Sequence, residues 1–219
     1  MKGKAVLLLA GLVASINLYS DSWTREKIDT TAGADYLSDV ERQIIIEINR
    51  VRTDPARYAR DYLVPVRRYY KGKLLSYPGR TPIRTSEGVL PLDECIRQLL
   101  ATKPVGALAP AKGLTLAARD HARDQGKTGG TGHTGSDRST PDVRMNRHGA
   151  WDVSAGENID YGDAVARQIV ASLLTDDGVP SRGHRKNLLD PSFKVVGVAV
   201  GPHPVYGRMC VVDLAGAYK

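Results

Sequence analysis

Val196-Gly197-Val198-Ala199-Val200, then Gly201-Pro202-His203-Pro204-Val205-Tyr206-Gly207, then Met209-Cys210-Val211-Val212-Asp213-Leu214 stand close to the end of the chain. Valines at 196, 198 and 200 alternate with smaller residues, which is the period of a strand, and the run from Met209 has a strand's length and β-branched content. The Gly/Pro-rich connection makes the two antiparallel neighbours. Working outward from this pair, the periodic segments upstream are helical. Ser38 with Glu41 has capping-box spacing, and Val40, Ile44, Ile48 and Val51 recur at helical intervals. Asp54 before Pro55 opens a second helix through Tyr58 and Tyr62, which Pro65 is expected to end. Glu94 to Leu100 reads as a short helix. Leu114, Ala118, His121, Ala122 and Gln125 form a small-residue helical stripe that Gly126 is expected to stop. Val165, Ile169 and Leu173 mark a further helix, stopped by Asp176, Asp177 and Gly178. Helices before and around a small, mainly antiparallel sheet predict an α/β fold, a three-layer α-β-α sandwich.

The chain has 219 residues, 42% of them hydrophobic, enough for one substantial core and short for two full domains. Met1-Lys2-Gly3-Lys4 followed by the apolar run Ala5 to Ala14 matches a secretory signal, so residues 1–15 are expected to direct export and 16–38 to be a polar linker to a domain at 39–219. That run is short of the ~20 apolar residues of a membrane-spanning helix, so no transmembrane segment is expected. Export makes the product secreted or periplasmic. Removing Lys2 and Lys4 takes the net charge from +7 to +5 (7 minus 2), which favours anionic surfaces. Nucleic acid is not an expected partner: the tyrosines meet arginines only at Arg67, Arg68, Tyr69 and Tyr70, and no reading motif is present. Arg67 to Pro91 has no periodicity and is expected to be a weakly ordered excursion. Cys95 and Cys210 could pair in an oxidising compartment or pack as free thiols; sequence leaves both open. No apolar stripe is left over after the core is assigned, so a monomer is expected.

Three segments gather unusual residues: Gly132-His133-Thr134-Gly135, Gly156-Glu157-Asn158, and Gly183-His184-Arg185-Lys186-Asn187. Each reads as a loop or element boundary, where glycine beside an imidazole or carboxylate lets side chains converge. Taken alone, His133 reads as a loop histidine, Glu157 as a helix-terminal carboxylate and His184 as a surface residue between arginines. Together, two imidazoles and a carboxylate can hold a zinc-like divalent ion or transfer a proton to and from water. His121 faces the alanine stripe as a core or supporting residue, and His148 and His203 read as loop residues. No His-Glu-x-x-His helix, Gly-x-Ser-x-Gly elbow or Gly-Lys-Ser/Thr phosphate loop is present, and no protease signature surrounds Cys95.

The order Ile-Asn-Arg-Val-Arg-Thr-Asp-Pro, Ala-Ala-Arg-Asp-His-Ala, Gly-His-Thr-Gly, Gly-Glu-Asn-Ile, Gly-His-Arg-Lys-Asn-Leu-Leu and a Gly-rich strand pair resembles a bacterial-type domain of the CAP superfamily: cysteine-rich secretory proteins, antigen 5 and pathogenesis-related 1. The resemblance runs from about Asp39 to Lys219. It implies a central cleft of two histidines and two acids. His133, Glu157 and His184 match three of its positions, with His133 and His184 as ligands of a divalent metal such as zinc. The fourth, usually Glu, falls at Asp176 or Asp177, with Asp177 favoured by the count of residues from Glu157. The family's cysteine-rich extension is missing. Three functions follow: a binding module whose cleft holds a metal and a small lipid, peptide or cell-surface ligand; a metal-dependent hydrolase using the same four side chains; or an envelope protein binding polyanions through Arg67–Arg84.

Overall fold

The computed structural model describes residues 23–219. The expected signal at 1–15 and the first part of the linker, 16–22, lie outside the described residues. Residues 23–38, expected as linker, pack on the domain instead. Trp23 stacks on Tyr62, the one-turn helix α1 (Arg25–Ile28) buries Ile28, and Ala34 and Leu37 are buried. A run with few large aliphatics reads as a linker in sequence, yet three well-placed apolar residues suffice to dock it.

Strands β4 (Ala109–Pro110), β5 (Trp151–Tyr161), β6 (Val195–His203) and β7 (Gly207–Tyr218) make one sheet in the order β4-β6-β7-β5. β5, β7 and β6 are antiparallel; β4 adds in parallel to β6. The period of two divides their side chains between two layers. Val196 and Val198 of β6 and Cys210, Val212 and Leu214 of β7 join the larger core, with α2 (Asp39–Thr53), α3 (Pro55–Tyr58), α4 (Leu90–Ala101), α7 (Ala166–Thr175) and α8 (Gly183–Leu189). Ala199, Met209, Val211 and Ala215 face the other way, toward α5 (Lys112–Thr128) and α6 (Pro141–Asn146). This is the expected α-β-α sandwich. A Cβ on Gly197 would collide with the Leu114 and Thr115 backbone, so that glycine sets how closely α5 lies on β6.

Several boundaries differ from expectation. α5 runs through Gly126, whose missing side chain makes room for the Pro202 carbonyl, and ends at Gly129, where φ is +72° and the amide donates to the Gln125 carbonyl. α4 starts at Leu90 because Pro91 fits a first helical turn. Pro65 does not end the second helix. The chain passes from α3 into a π-helical turn (Ala59–Leu63) and a 3₁₀ helix (Val64–Tyr69) that takes Pro65 in its first turn.

The excursion at 67–91 is ordered. It forms a meander of two-residue strands, β1 (Tyr70–Lys71), β2 (Leu74–Leu75) and β3 (Ile83–Arg84). A reciprocal clasp ties it down. The Asp177 carboxylate accepts from the Ser86 and Glu87 amides at 2.6 and 2.8 Å, while Glu87 accepts from the Gly178 amide and Arg182.

β5 was not legible as a strand. It is an edge strand with a bulge, where Val153 (φ +72°) and Ser154 stand opposite the single residue Gly216. Gly156-Glu157-Asn158 therefore lies within a strand, not at a loop. Cys95 and Cys210 are buried free thiols, each held above the ordinary thiol range by burial. No helix among the described residues is long and apolar enough to cross a membrane.

Candidate functional site

The site straddles the edge of β5, half from each helical layer. Strand alternation delivers both halves: Glu157 points to the α5 and α6 side with Ile159, and Asn158 points to the α7 and α8 side. Adjacent residues of one motif thus serve opposite layers.

On the first side, His133 follows Gly132, whose φ of +86° suits glycine. Three side chains fix the Gly132 peptide. Gln125 Nε2 donates to its carbonyl at 2.6 Å, His121 Nε2 lies 2.8 Å from the same oxygen, and its amide donates to Tyr161 Oη at 2.9 Å. His203 ends β6 rather than lying in a loop. It sits 2.9 Å from the Gly130 carbonyl and packs against Tyr161, bracing the same turn. His148, in the loop after α6, pairs with Asp120 away from these rings.

His133 Nδ1 lies 2.8 Å from Glu157 Oε1, and Arg144 Nη2 donates to Glu157 Oε2 at 2.7 Å and to the His133 carbonyl at 3.1 Å. The Glu157 and Arg144 side chains are almost wholly buried, whereas His133 is 49% exposed. Burial raises the Glu157 carboxyl, but the His133 hydrogen bond and the Arg144 charge together outweigh it and hold the group below its ordinary range. Asp213 is its neighbour across β7, fully buried, with neither carboxyl oxygen receiving a donor. Burial first, and the Glu157 charge second, raise Asp213 well above the carboxylate range. Side by side in one buried site, the two acids disfavour a second negative charge.

On the second side, His184 stands in the first turn of α8. Its Nδ1 lies 2.7 Å from Asp176 Oδ1, while Asp176 Oδ2 accepts from the His184 amide at 2.9 Å. Asp176 also closes α7 in a left-handed conformation (φ +59°) that Asp tolerates better than most residues. Asn158 Nδ2 donates to the His184 carbonyl at 3.0 Å and Asn187 Nδ2 donates to Asn158 Oδ1 at 2.8 Å, locking α8 to β5. Arg185 is fully buried and ties α8 to α4 and the end of α7.

The acid that reaches His184 is thus Asp176; the expected Asp177 gives its carboxylate to the meander clasp. The residue count from Glu157 favours Asp177, with a loop two residues shorter, but it is Asp176, in its left-handed turn, whose carboxylate reaches His184. Sequence reading also missed Arg144 and Asp213. A short helix rich in charges hides Arg144, but an aspartate inside Met209–Leu214 was a visible signal, because a lone acid in an apolar strand requires a partner.

The ring centroids of His133 and His184 are 6.2 Å apart at an interplanar angle of 49°. An ion ~2.1 Å from one nitrogen of each ring could reach both only with centroids within roughly 6.5 Å, and the observed 6.2 Å lies near that limit, wider than a tetrahedral site requires. Each Nδ1 rests on a carboxylate, the arrangement that orients a metal-binding imidazole and raises its basicity. Among the described residues no group of three or more His, Cys, Asp or Glu side chains converges as a metal cluster. The side chains that could serve an ion here are therefore the two imidazoles alone.

A family model for the cysteine-rich secretory protein family, CAP, matches residues 45–214. Among solved structures, an outer surface protein from Borrelia burgdorferi aligns at 19% identity and a TM-score of 0.43, over 56% of this chain and 86% of its own. An extracellular protein containing an SCP domain from Bacillus anthracis aligns at 26% identity and 0.42, over 57% and 37%. A cysteine-rich secretory protein from Staphylococcus aureus aligns at 16% identity and 0.36, over 55% and 34%. The chain thus covers little more than a third of the last two. No curated protein matches it.

Proposed function

The chain belongs to the cysteine-rich secretory protein (CAP) family, and from that premise we propose that it is an exported binding module. In this reading His133 and His184 hold a divalent ion, zinc by the chemistry of two imidazoles, and the cleft around them receives a small lipid, peptide or cell-surface ligand. Bound there, the ion supplies positive charge and open positions for oxygen ligands. The observation that supports this most is the symmetry of anchoring: each ring has its Nδ1 on a buried carboxylate, Glu157 or Asp176, and among the described residues neither Nε2 has a partner. Such anchoring costs two buried acids and serves rings that must hold a fixed orientation. Export is inferred from the apolar run at Ala5 to Ala14 behind Lys2 and Lys4.

Zinc titration by calorimetry tests the reading. The wild-type chain takes up one ion, and His133→Ala with His184→Ala takes up none while its circular dichroism is unchanged. Equal uptake by the double variant removes the metal from the cleft.

One observation favours a second reading, hydrolysis. A half-exposed His133 backed by a buried carboxylate is the arrangement of a general base acting on water. Screening ester and peptide substrates with and without chelator separates the two. Chelator-sensitive turnover that is lost in the double variant favours the enzyme.

A further inference from the structure

Between α7, the 3₁₀ helix and the meander lies a cavity of about 390 Å³, within the range of small-molecule sites. His184 and Asp176 are among its lining residues, so it adjoins the cleft, and Leu63, Tyr70, Tyr77, Ile83 and Ala171 give it an apolar side. Those residues offer a hydrocarbon-lined space. Asp160 also lines it, and Asp160 is 4% exposed with an Oδ2 that has no hydrogen-bond partner. Ser172 and the Asp163 amide lie near Asp160, yet that oxygen has no hydrogen-bond partner. A buried carboxyl oxygen without a donor requires an explanation.

The other acids of the lining already have partners. Asp163 pairs with Arg80, Asp176 with His184, and Asp177 with the Ser86 and Glu87 amides. Its basic side chains are Arg84, exposed to solvent, and His184, bound to Asp176. An anionic ligand would therefore meet carboxylates with no free buried cation. Asp160 is the acid of this lining that keeps a buried oxygen without a donor.

We propose that this cavity binds a small amphipathic amine, with its hydrocarbon part against Tyr70, Tyr77 and Ile83 and its ammonium donating to Asp160. The site requires no metal at the histidine pair, and so goes beyond the cleft reading. The meander closes it, and the clasp at Asp177 and Glu87 holds the meander in place.

Proton release gives the site a signature. Burial, with the Asp163 charge second, pushes Asp160 up to about 7. The groups facing it are Asp163 after β5, Arg80 of the meander through Asp163, Cys210 opposite on β7, and uncharged Ser172 of α7. An ammonium beside Asp160 favours the ionised form, so amine binding at pH 6 expels a proton from the carboxyl.

The test titrates metal-free protein with octylamine, octanol and octanoate by calorimetry at pH 8 and at pH 6, in buffers of different ionisation enthalpy. Octylamine is expected to bind about tenfold or more tighter than octanoate, as a charge-assisted hydrogen bond against an unpaired charge requires. Asp160→Asn is expected to weaken octylamine by about tenfold and to leave octanol nearly unchanged. Ala171→Phe, which fills the cavity, loses all three; if it does not fold, Asp160→Asn still decides. His133→Ala, which removes a zinc nitrogen and does not line the cavity, keeps octylamine binding, so a failure of zinc uptake is a separate result. Equal binding of octylamine and octanoate, undiminished octylamine binding by Asp160→Asn, or no octylamine uptake would each overturn the proposal.

Discussion

Arg144 shows how much a single buried side chain carries here. It neutralises the Glu157–Asp213 pair and holds the His133 carbonyl, with almost no contact with water. Arg144→Ala leaves that pair without its cation, and we expect a loss of about 3–5 kcal/mol in denaturant unfolding, the scale of a broken buried ion pair. Asp160 predicts a pH effect of opposite kind. Its folded value of about 7 stands above its ordinary 3.8, so its contribution to stability is full below about pH 4 and is lost as pH rises through 7. Asp160→Asn removes that loss. Its stability relative to wild type should therefore rise between pH 4 and pH 8, by up to about 4 kcal/mol, measured by urea unfolding at several pH values. At this scale the sequence was informative about His133, Glu157 and His184, because imidazole and carboxylate beside glycine stand out in a short motif. It could not separate Asp176 from Asp177. Neighbouring residues of one type differ only in backbone dihedral, and no composition records that.

Among the elements, α2, α5, α7 and the β6–β7 pair were legible because each buries one face and repeats with its own period. β5 was not, since only its stretch from Glu157 to Asp160 is buried on both sides and several of those positions are the polar residues of the site, which erases alternation. The meander was missed because strands of two residues carry no period at all. Its attachment is testable. Asp177→Asn keeps the side chain's size but weakens both amide bonds at Ser86 and Glu87, so amide exchange across 70–85 should quicken by about tenfold while α2 and α5 stay protected. Close packing of α5 on β6 gives a second test: Gly197→Ala should lower stability by about 3 kcal/mol, because a backbone cannot retreat as a side chain can.

At the scale of the whole molecule, the two histidines come from different layers, and Glu157 and Asn158 of the edge strand join them. If the pair shares an ion, that ion links the layers as well as occupying a site. Saturating zinc should then raise the midpoint of thermal unfolding, by the equivalent of about 2.7 kcal/mol at a hundredfold excess over Kd, and His133→Ala should abolish the rise. An unchanged midpoint in the wild-type chain would count against a bridging ion. The bulge in β5 also has a consequence for how this chain can change length. Two residues there face one on β7, upstream of Glu157, so losing either Val153 or Ser154 straightens the ladder and leaves Glu157 opposite Asp213. A deletion between Gly156 and Tyr161 instead turns the residues beyond it to the opposite layer. Descendants of this sequence can therefore shed a residue at the hinge of the edge strand and keep their chemistry, whereas the same event a few positions later exchanges the inside of one layer for the inside of the other.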